Sequence, residues 1–183
     1  MRIKLPHAPY IARKIAIDIH NCDFIIFKSG LDPVILEAQR LLEEDINKER
    51  VLEEKAKELL DQNEDEMDFM QVDRRDMFWM IKKKLAPSFN FELSFDDRFT
   101  KLSHEILESL WKKDLIDYNV SENKARNVIY GAIINYLDTF EEVEEIVANK
   151  LENYKRKLIP GTEEYDLIFE KLYSEELSRK GMI

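Results

Sequence analysis

The chain has 183 residues and a formal net charge of −10, and charged residues make up 36% of it. A basic face is what releases counterions from a phosphate backbone, so this balance makes duplex DNA an unlikely partner, while local lysine clusters keep RNA possible. With only four glycines and five prolines, the composition favours helices joined by short loops.

The cysteine content and the hydropathy of the sequence indicate the cellular compartment of the protein. The single cysteine, Cys22, excludes an intramolecular disulfide, which is typical of a reducing compartment. The sequence contains no run of 18 apolar residues, and its N-terminus lacks the apolar core of a signal peptide. We therefore expect a cytoplasmic protein with no membrane partner.

The first sixty residues predict two or three helices. Apolar residues three and four apart indicate a helix that ends near Asn21. Asp32 then caps a second helix, and Pro33 suits its first position. This helix either continues to Leu60 or breaks near Asn47.

An acidic tract, residues 61–68, separates these helices from the next, and it predicts a solvated helix end or a mobile loop. The segment Val72–Ala86 predicts a helix. Its consecutive apolar residues, Met77–Ile81, indicate burial on more than one side. Pro87 stops this helix, and Ser88–Leu93 forms a joint whose two phenylalanines predict that it packs down.

The second half predicts four further helices. Ser94 caps the first and Ser121 the next. Thr139 begins a capping box that opens a third. Pro160 breaks the chain, and Thr162 caps the last helix. No segment alternates with period two for more than a few residues, so we expect more than 60% helix and no sheet.

One turn occurs twice. Residues 111–118 close one predicted helix and lead into the next, and a weaker copy, residues 20–27, lies 91 residues earlier. Each copy carries an Asp at its fourth position, Asp23 or Asp114, then apolar residues and an aromatic. We interpret this Asp as structural, with its carboxylate accepting the backbone N–H groups that follow the helix end.

The similarity continues beyond this turn, because apolar residues of the two following helices also align. The sequence therefore predicts an all-α tandem repeat of two related modules, each of three or four helices, packed together. The predicted modules are residues 1–90 and residues 91–183. Because the modules are related, a pseudo-twofold pairing of like faces is the natural packing.

Three segments of the second half carry a family resemblance: Ile106–Tyr118, Pro160–Asp166 and Tyr173–Gly181. Through them, residues 102–183 resemble a complete copy of the bacterial family catalogued as domain of unknown function 507. Residues 1–90 resemble a diverged copy, in which His-Asn-Cys replaces the Trp-Lys-Lys triplet of the turn. The resemblance implies an all-helical bacterial cytosolic protein, and it implies no activity.

Chemistry-bearing motifs are absent from the sequence. His7, His20 and His104 lie far apart, and none has another His or a Cys at ligand spacing. Cys22 follows Asn21 and precedes Asp23, whose charge raises the thiol pKa, the wrong direction for a nucleophile. We therefore predict no catalytic residue, no metal site and no cofactor, and a protein that is not an enzyme.

The candidate partner surface is Trp111, Lys112, Lys113 and Tyr118. These residues could stack a base and hold a phosphate. The interpretation we favour is a core tryptophan, lysines that complement a helix dipole, and a packed tyrosine.

The aromatic and methionine residues of Met77–Ile81 exceed what a small bundle must bury, unless the two halves bury them against each other. We therefore predict a non-enzymatic protein–protein interaction or scaffold module, acting on a protein partner or by self-association. The alternative is an RNA-associated factor that uses the Trp-Lys-Lys turn.

Overall fold

The computed structural model describes residues 3, 5–63, 73–154, 156 and 159–180. The protein is mostly helical, at 79%, which confirms the all-α prediction. The part of the predicted acidic tract from residue 64 to 68 lies outside the described residues.

The described residues form six α-helices and two short β-strands. In chain order they are α1 (Ala8–His20), β1 (Ile25–Phe27), α2 (Leu31–Gln62), α3 (Arg74–Leu85), α4 (Phe95–Lys112), β2 (Ile116–Tyr118), α5 (Glu122–Glu152) and α6 (Glu163–Arg179). Short 3-10 turns precede α1 at Leu5–His7 and follow α3 at Ala86–Phe89.

The chain divides into two compact units, and the boundary falls inside α5. One unit comprises residues 3–130, and the other contains residues 131–183. The predicted modules, 1–90 and 91–183, are defined by sequence similarity instead, and they remain a prediction.

Helix α2 is the centre of the first unit, where it packs against α1, α3 and α4. Its buried apolar residues recur at helical spacing: Val34, Ala38, Leu42, Ile46, Leu52, Ala56 and Leu60. The helix is continuous through Asn47, so the predicted alternative of a break is wrong. Its N-cap is Gly30, and Asp32 lies in the first turn, where its charge suits the helix dipole.

The prediction of no sheet is wrong. Strands β1 and β2 pair in antiparallel fashion, with Ile25 opposite Tyr118, Ile26 opposite Asp117 and Phe27 opposite Ile116. Three residues are too few to show an alternating pattern, and the pairing joins segments far apart in the chain. Local sequence therefore carried no signal for it.

Helix α3 begins at Arg74, two residues after the predicted start at Val72, because the Asp73 carboxylate caps it by accepting the backbone N–H groups of Arg75 and Asp76. The prediction that its apolar run is buried on more than one side is wrong. Trp79 is 52% exposed and Met80 is 63% exposed. The consecutive run surrounds the helix axis, and only one side of α3 meets α2.

The connecting segment after α3, Ser88–Leu93, packs against α2, as predicted. Phe91 is buried in a small apolar cluster with Leu52 of α2 and Ala86, and Leu85 and Phe89 pack against it. The chain reverses at Asn90, whose φ of 50° is left-handed, a conformation that asparagine tolerates better than most residues.

A buried ionic cluster connects three helices of this unit. Lys82 of α3 is 4% exposed, and its Nζ lies 2.8 Å from Glu53 Oε1 and 3.4 Å from Glu49 Oε1 on α2. The Glu49 carboxylate also meets Arg98 of α4 at 2.8 Å, and Arg98 reaches Asp45 at 2.6 Å. Lys82 thus does more than complement the α3 dipole, because it also pairs with two carboxylates of α2.

Helix α5 is a single helix of 31 residues, so the predicted cap at Thr139 is wrong. The Thr139 hydroxyl instead donates to the Asn135 carbonyl at 2.8 Å, within the helix. Threonine can satisfy its hydroxyl in this way four residues back, which a capping-box pattern does not reveal.

The second unit packs apolar and aromatic residues of α5 and α6 together. Thr162 caps α6 as predicted, because its Oγ1 accepts the Tyr165 N–H at 3.3 Å. Phe140 meets Tyr173 edge to face, with ring centroids 5.3 Å apart. Burial raises the pKa of Tyr173 well above its usual range, so its phenol stays neutral.

The buried ionic cluster predicts a large difference between two neighbouring lysines. Lys82→Met removes the cation between Glu49 and Glu53 and should lower the free energy of unfolding by about 3 kcal/mol, because the two carboxylates then share one buried cation fewer. Lys83→Met, one residue later at an exposed position, should change it by less than about 0.5 kcal/mol. Urea unfolding followed by circular dichroism measures both, and equal effects would contradict the proposed role of the cluster.

Candidate functional site

A small pocket lies where α4, β2 and the start of α5 meet. It has a volume of about 240 Å³ and is lined by His104, Leu107, Glu108, Trp111, Tyr118 and Glu122. We call it the Trp111 pocket. Two aromatic side chains and two carboxylates therefore share one concave surface.

Helical spacing explains how α4 builds one wall of this pocket. His104, Glu108 and Trp111 lie at positions i, i+4 and i+7, which share a face of the helix. The opposite face of α4 buries the predicted apolar stripe, including Leu102, Ile106 and Leu110. The remaining wall comes from Tyr118 at the end of β2 and Glu122 in the first turn of α5.

Both carboxylates of the pocket have an intramolecular partner. Glu122 Oε1 lies 2.7 Å from His104 Nδ1, and Glu108 Oε1 lies 2.7 Å from Lys112 Nζ. The hydrogen bond from Lys112 lowers the pKa of Glu108, so this carboxylate stays charged at neutral pH. Each contact uses only one oxygen, which leaves the other able to accept a further donor.

The structure brings together only half of the predicted partner surface. Trp111 and Tyr118 both line the pocket. Our favoured interpretation of Trp111 as a core residue is wrong, because its side chain is 52% exposed. Tyr118 is half-buried, and burial, followed by the charges of Glu122 and Asp117, raises the pKa of its phenol.

The two lysines have separate partners. Lys112 pairs with Glu108 beside the pocket, whereas Lys113 pairs with Glu37 of α2. Lys113 therefore contributes to helix packing and does not line the pocket.

Glu37 is the centre of that second contact between α2 and α4. It is 6% exposed, and it accepts hydrogen bonds from Arg40 at 2.6 Å, from the Ser109 hydroxyl at 2.6 Å and from Lys113. The Arg40 guanidinium, with Lys113 and Ser109, holds the pKa of Glu37 at about 2 even though burial raises it. Glu37 therefore stays charged and ties the end of α4 to α2.

Asp114 closes α4 through its backbone. Its φ is 57°, the Leu115 N–H bonds the Leu110 carbonyl at 3.0 Å, and the Asp114 N–H bonds the Trp111 carbonyl at 3.0 Å. These are the two bonds of a Schellman motif. The Asp114 carboxylate contacts the Lys28 ammonium at 2.6 Å, whereas we expected it to accept backbone N–H groups.

The earlier turn differs in conformation. Asp23 lies in an exposed turn between α1 and β1. In the described part of the chain, the non-glycine residues with positive φ are Asn90 and Asp114, so Asp23 has an ordinary backbone. The shared Asp therefore has different local roles in the two turns.

Cys22 has the environment of an unreactive thiol. Burial, followed by the charges of Asp18 and Asp23, raises its pKa. The sequence identified the effect of Asp23, and the structure adds burial as the larger cause. Within the described residues, no group of three or more His, Cys, Asp or Glu residues could hold a metal ion.

Sequence reasoning missed most of the pocket. It considered His104 only as a metal ligand, and it did not single out Glu108 or Glu122. Their spacing from Trp111 on α4 was a usable signal for His104 and Glu108. Glu122 reaches the pocket only because β2 turns the chain back, which no local pattern predicts.

Helix order, the two-stranded sheet and the Trp111 pocket define an all-α protein of long helices with a small aromatic and acidic surface site. None of the helices in the described residues combines the length and apolar character that crossing a membrane requires. The chain belongs to the family described as "Protein of unknown function (DUF507)", whose sequence profile matches residues 1–182. The match confirms the resemblance and extends over both halves of the chain. No curated protein matches the chain.

The closure of α4 predicts a difference between two substitutions of Asp114. Asp114→Gly should keep or raise the melting temperature, because glycine adopts positive φ without a steric cost. Asp114→Ala should lower the free energy of unfolding by about 1 kcal/mol relative to the glycine variant. Both variants lose the Lys28 contact, so thermal unfolding of the pair isolates the backbone effect. Equal melting temperatures would contradict it.

Glu37 predicts a specific pH dependence of stability. A carboxyl whose folded pKa lies below its unfolded value stabilises the fold above the unfolded pKa, and this contribution is lost as the pH falls through the folded pKa. The advantage of wild type over Glu37→Gln should therefore be full above about pH 5 and should shrink between pH 4.5 and about 2. Urea unfolding across this range measures it.

The control for this series is Glu54→Gln, which breaks an exposed ion pair with Arg50. Its unfolding free energy should stay close to that of wild type at each pH. A constant difference between wild type and Glu37→Gln down to pH 2 would contradict the assignment.

Proposed function

We propose that this protein is a non-enzymatic interaction module that binds a partner protein. The observation that carries the proposal is that Trp79 and Trp111, the two tryptophans of the chain, are each 52% exposed. Tryptophan is the side chain most enriched at the energetic centres of protein interfaces.

Each tryptophan lies in a different setting. Trp79 neighbours the exposed Met80 on α3, and methionine suits adaptable contacts. Trp111 borders a concave site with Tyr118. The Trp111 pocket is the better candidate for a specific contact, because concave sites with few convergent polar groups give orientation as well as area.

The contacts around the Trp111 pocket argue against the RNA alternative. Of the two lysines that would hold a phosphate, Lys113 is held by the buried carboxylate of Glu37, and Lys112 would have to leave Glu108. Glu122 adds a further carboxylate at the place where a base would stack on Trp111. A phosphate backbone would therefore meet little net positive charge.

We also propose that the two predicted modules are related by a pseudo-twofold axis. The element order supports this, because helix, short strand, long helix and shorter helix occur twice. The strand register supports it as well. With the 91-residue offset, Ile26 is equivalent to Asp117, and these two residues pair with each other. The offset also makes Ile25 equivalent to Ile116 and Phe27 equivalent to Tyr118, so the pair Ile25–Tyr118 is the symmetry equivalent of the pair Phe27–Ile116.

An aromatic pair adds to this relation. His20 and Phe27 occupy the positions equivalent to Trp111 and Tyr118. Their rings meet edge to face at 5.2 Å. In the first module the two aromatic rings therefore cover each other, whereas in the second they border the Trp111 pocket.

The interaction function predicts the loss of a partner when Trp111 is truncated. Wild type, Trp111→Ala and Tyr154→Ala would be used to purify complexes from native cells with and without nuclease. Tyr154 is the control because it is a similarly exposed aromatic on the other unit. We expect a protein partner that survives nuclease, is retained by Tyr154→Ala and is lost by Trp111→Ala.

The affinity of the purified partner is then measured for wild type and for Trp111→Ala. Because we place Trp111 at the centre of the interface, its truncation should weaken binding at least about tenfold. Complexes that disappear with nuclease would favour the RNA alternative. Retention of the same partner by Trp111→Ala would overturn the proposed site.

A further inference from the structure

We infer that the Trp111 pocket binds the guanidinium side chain of an arginine presented by the partner protein. The inference rests on the proposed interaction function and names the chemistry that the site recognises. It follows from the size of the pocket, its walls and its charges.

The volume of the pocket is suited to a single side chain. At about 240 Å³ it is smaller than the roughly 300–1,000 Å³ that enclose a drug-sized ligand or cofactor. A side chain inserted from a partner requires no more than this, because the rest of the partner stays outside.

The walls select a flat cation. Trp111 and Tyr118 both line the pocket, and a cation over the face of an aromatic ring is attracted by the ring quadrupole. A guanidinium is planar and weakly hydrated, so it stacks on aromatic rings more readily than the compact ammonium of lysine. The same stacking occurs elsewhere in this chain, where the Arg98 guanidinium lies 4.5 Å from the Phe91 ring centroid.

The charges select a cation over an anion. Glu108 and Glu122 both line the pocket, and each uses Oε1 for its internal partner. The remaining oxygens can accept guanidinium N–H groups, which form a fork suited to carboxylates. The net charge of −10 favours approach of a basic partner over the whole surface.

Lys112 already shows how a cation meets this site. Its Nζ lies 2.7 Å from Glu108 Oε1, and its side chain is 62% exposed. An exposed pair of this kind is readily exchanged. An incoming arginine would therefore compete with Lys112 for Glu108, and removing Lys112 should strengthen arginine binding. An RNA ligand would show the opposite response, because it would lose a phosphate contact.

The experiment is an NMR titration of the full chain with the peptide acetyl-Gly-Arg-Gly-amide. The indole N–H signals of Trp111 and Trp79 report on the pocket and on an internal control. We expect a saturable shift of the Trp111 signal, little shift of the Trp79 signal, and no saturable shift with a peptide that carries citrulline, the neutral analogue of arginine.

Variants assign the binding to the pocket. Glu108→Gln and Glu122→Gln should each weaken the peptide about fivefold, whereas Glu141→Gln, at an exposed position of α5, should leave it unchanged. Lys112→Ala should tighten binding about twofold. An unshifted Trp79 signal in each variant reports that the fold around α3 is intact.

Several results would overturn the inference: no shift of the Trp111 signal, equal binding of the citrulline peptide, or no loss in either Gln variant. If Trp111→Ala loses its native partner but the arginine peptide does not bind, the interaction function stands and the arginine assignment falls. If the peptide binds as expected but the native partner is retained by Trp111→Ala, the pocket binds arginine but is not the site of that partner, and the inference that the partner presents the arginine falls.

Discussion

The ionic cluster on α2 is the constraint on which the first unit depends. Glu49 is buried and shared between Lys82 of α3 and Arg98 of α4. A buried charge is costly unless it is paired, so α3 and α4 can pack against α2 only where their cations meet that carboxylate. Apolar stripes alone would let helices slide or rotate by a turn, and the charges remove that freedom.

A second acid on the same helix completes the arrangement. Glu37 holds Ser109 and Lys113 near the end of α4, and Arg98 lies near its start. Glu37 and Glu49 are twelve residues apart, or roughly 18 Å along a helix. Two charged contacts at this separation fix α4 antiparallel to α2 and set which of its faces points away from the core.

The outward face of α4 is the one that carries the candidate site. Lys113 is held by Glu37 on the side of α4 that meets α2. Trp111 lies on a different side of α4, where it lines the pocket with Tyr118 and Glu122. The aromatic surface is thus a consequence of how buried carboxylates orient the helix. In the first half, His20 and Phe27 occupy a similar place between helix and strand but contact each other, so only the second turn leaves its aromatic surface available.

The sequence by itself determined most of the helices and the caps at Ser94 and Thr162, because spacing and capping are local properties of the chain. The family was also readable from its motifs. The tertiary structure decided the strand pairing and the exposure of Trp111. Each of these depends on contacts between residues far apart, where apolar character sets a preference for burial but a buried charge elsewhere sets the orientation. The Trp111 pocket belongs to the second kind, since it joins Glu122 of α5 to His104 and Trp111 of α4.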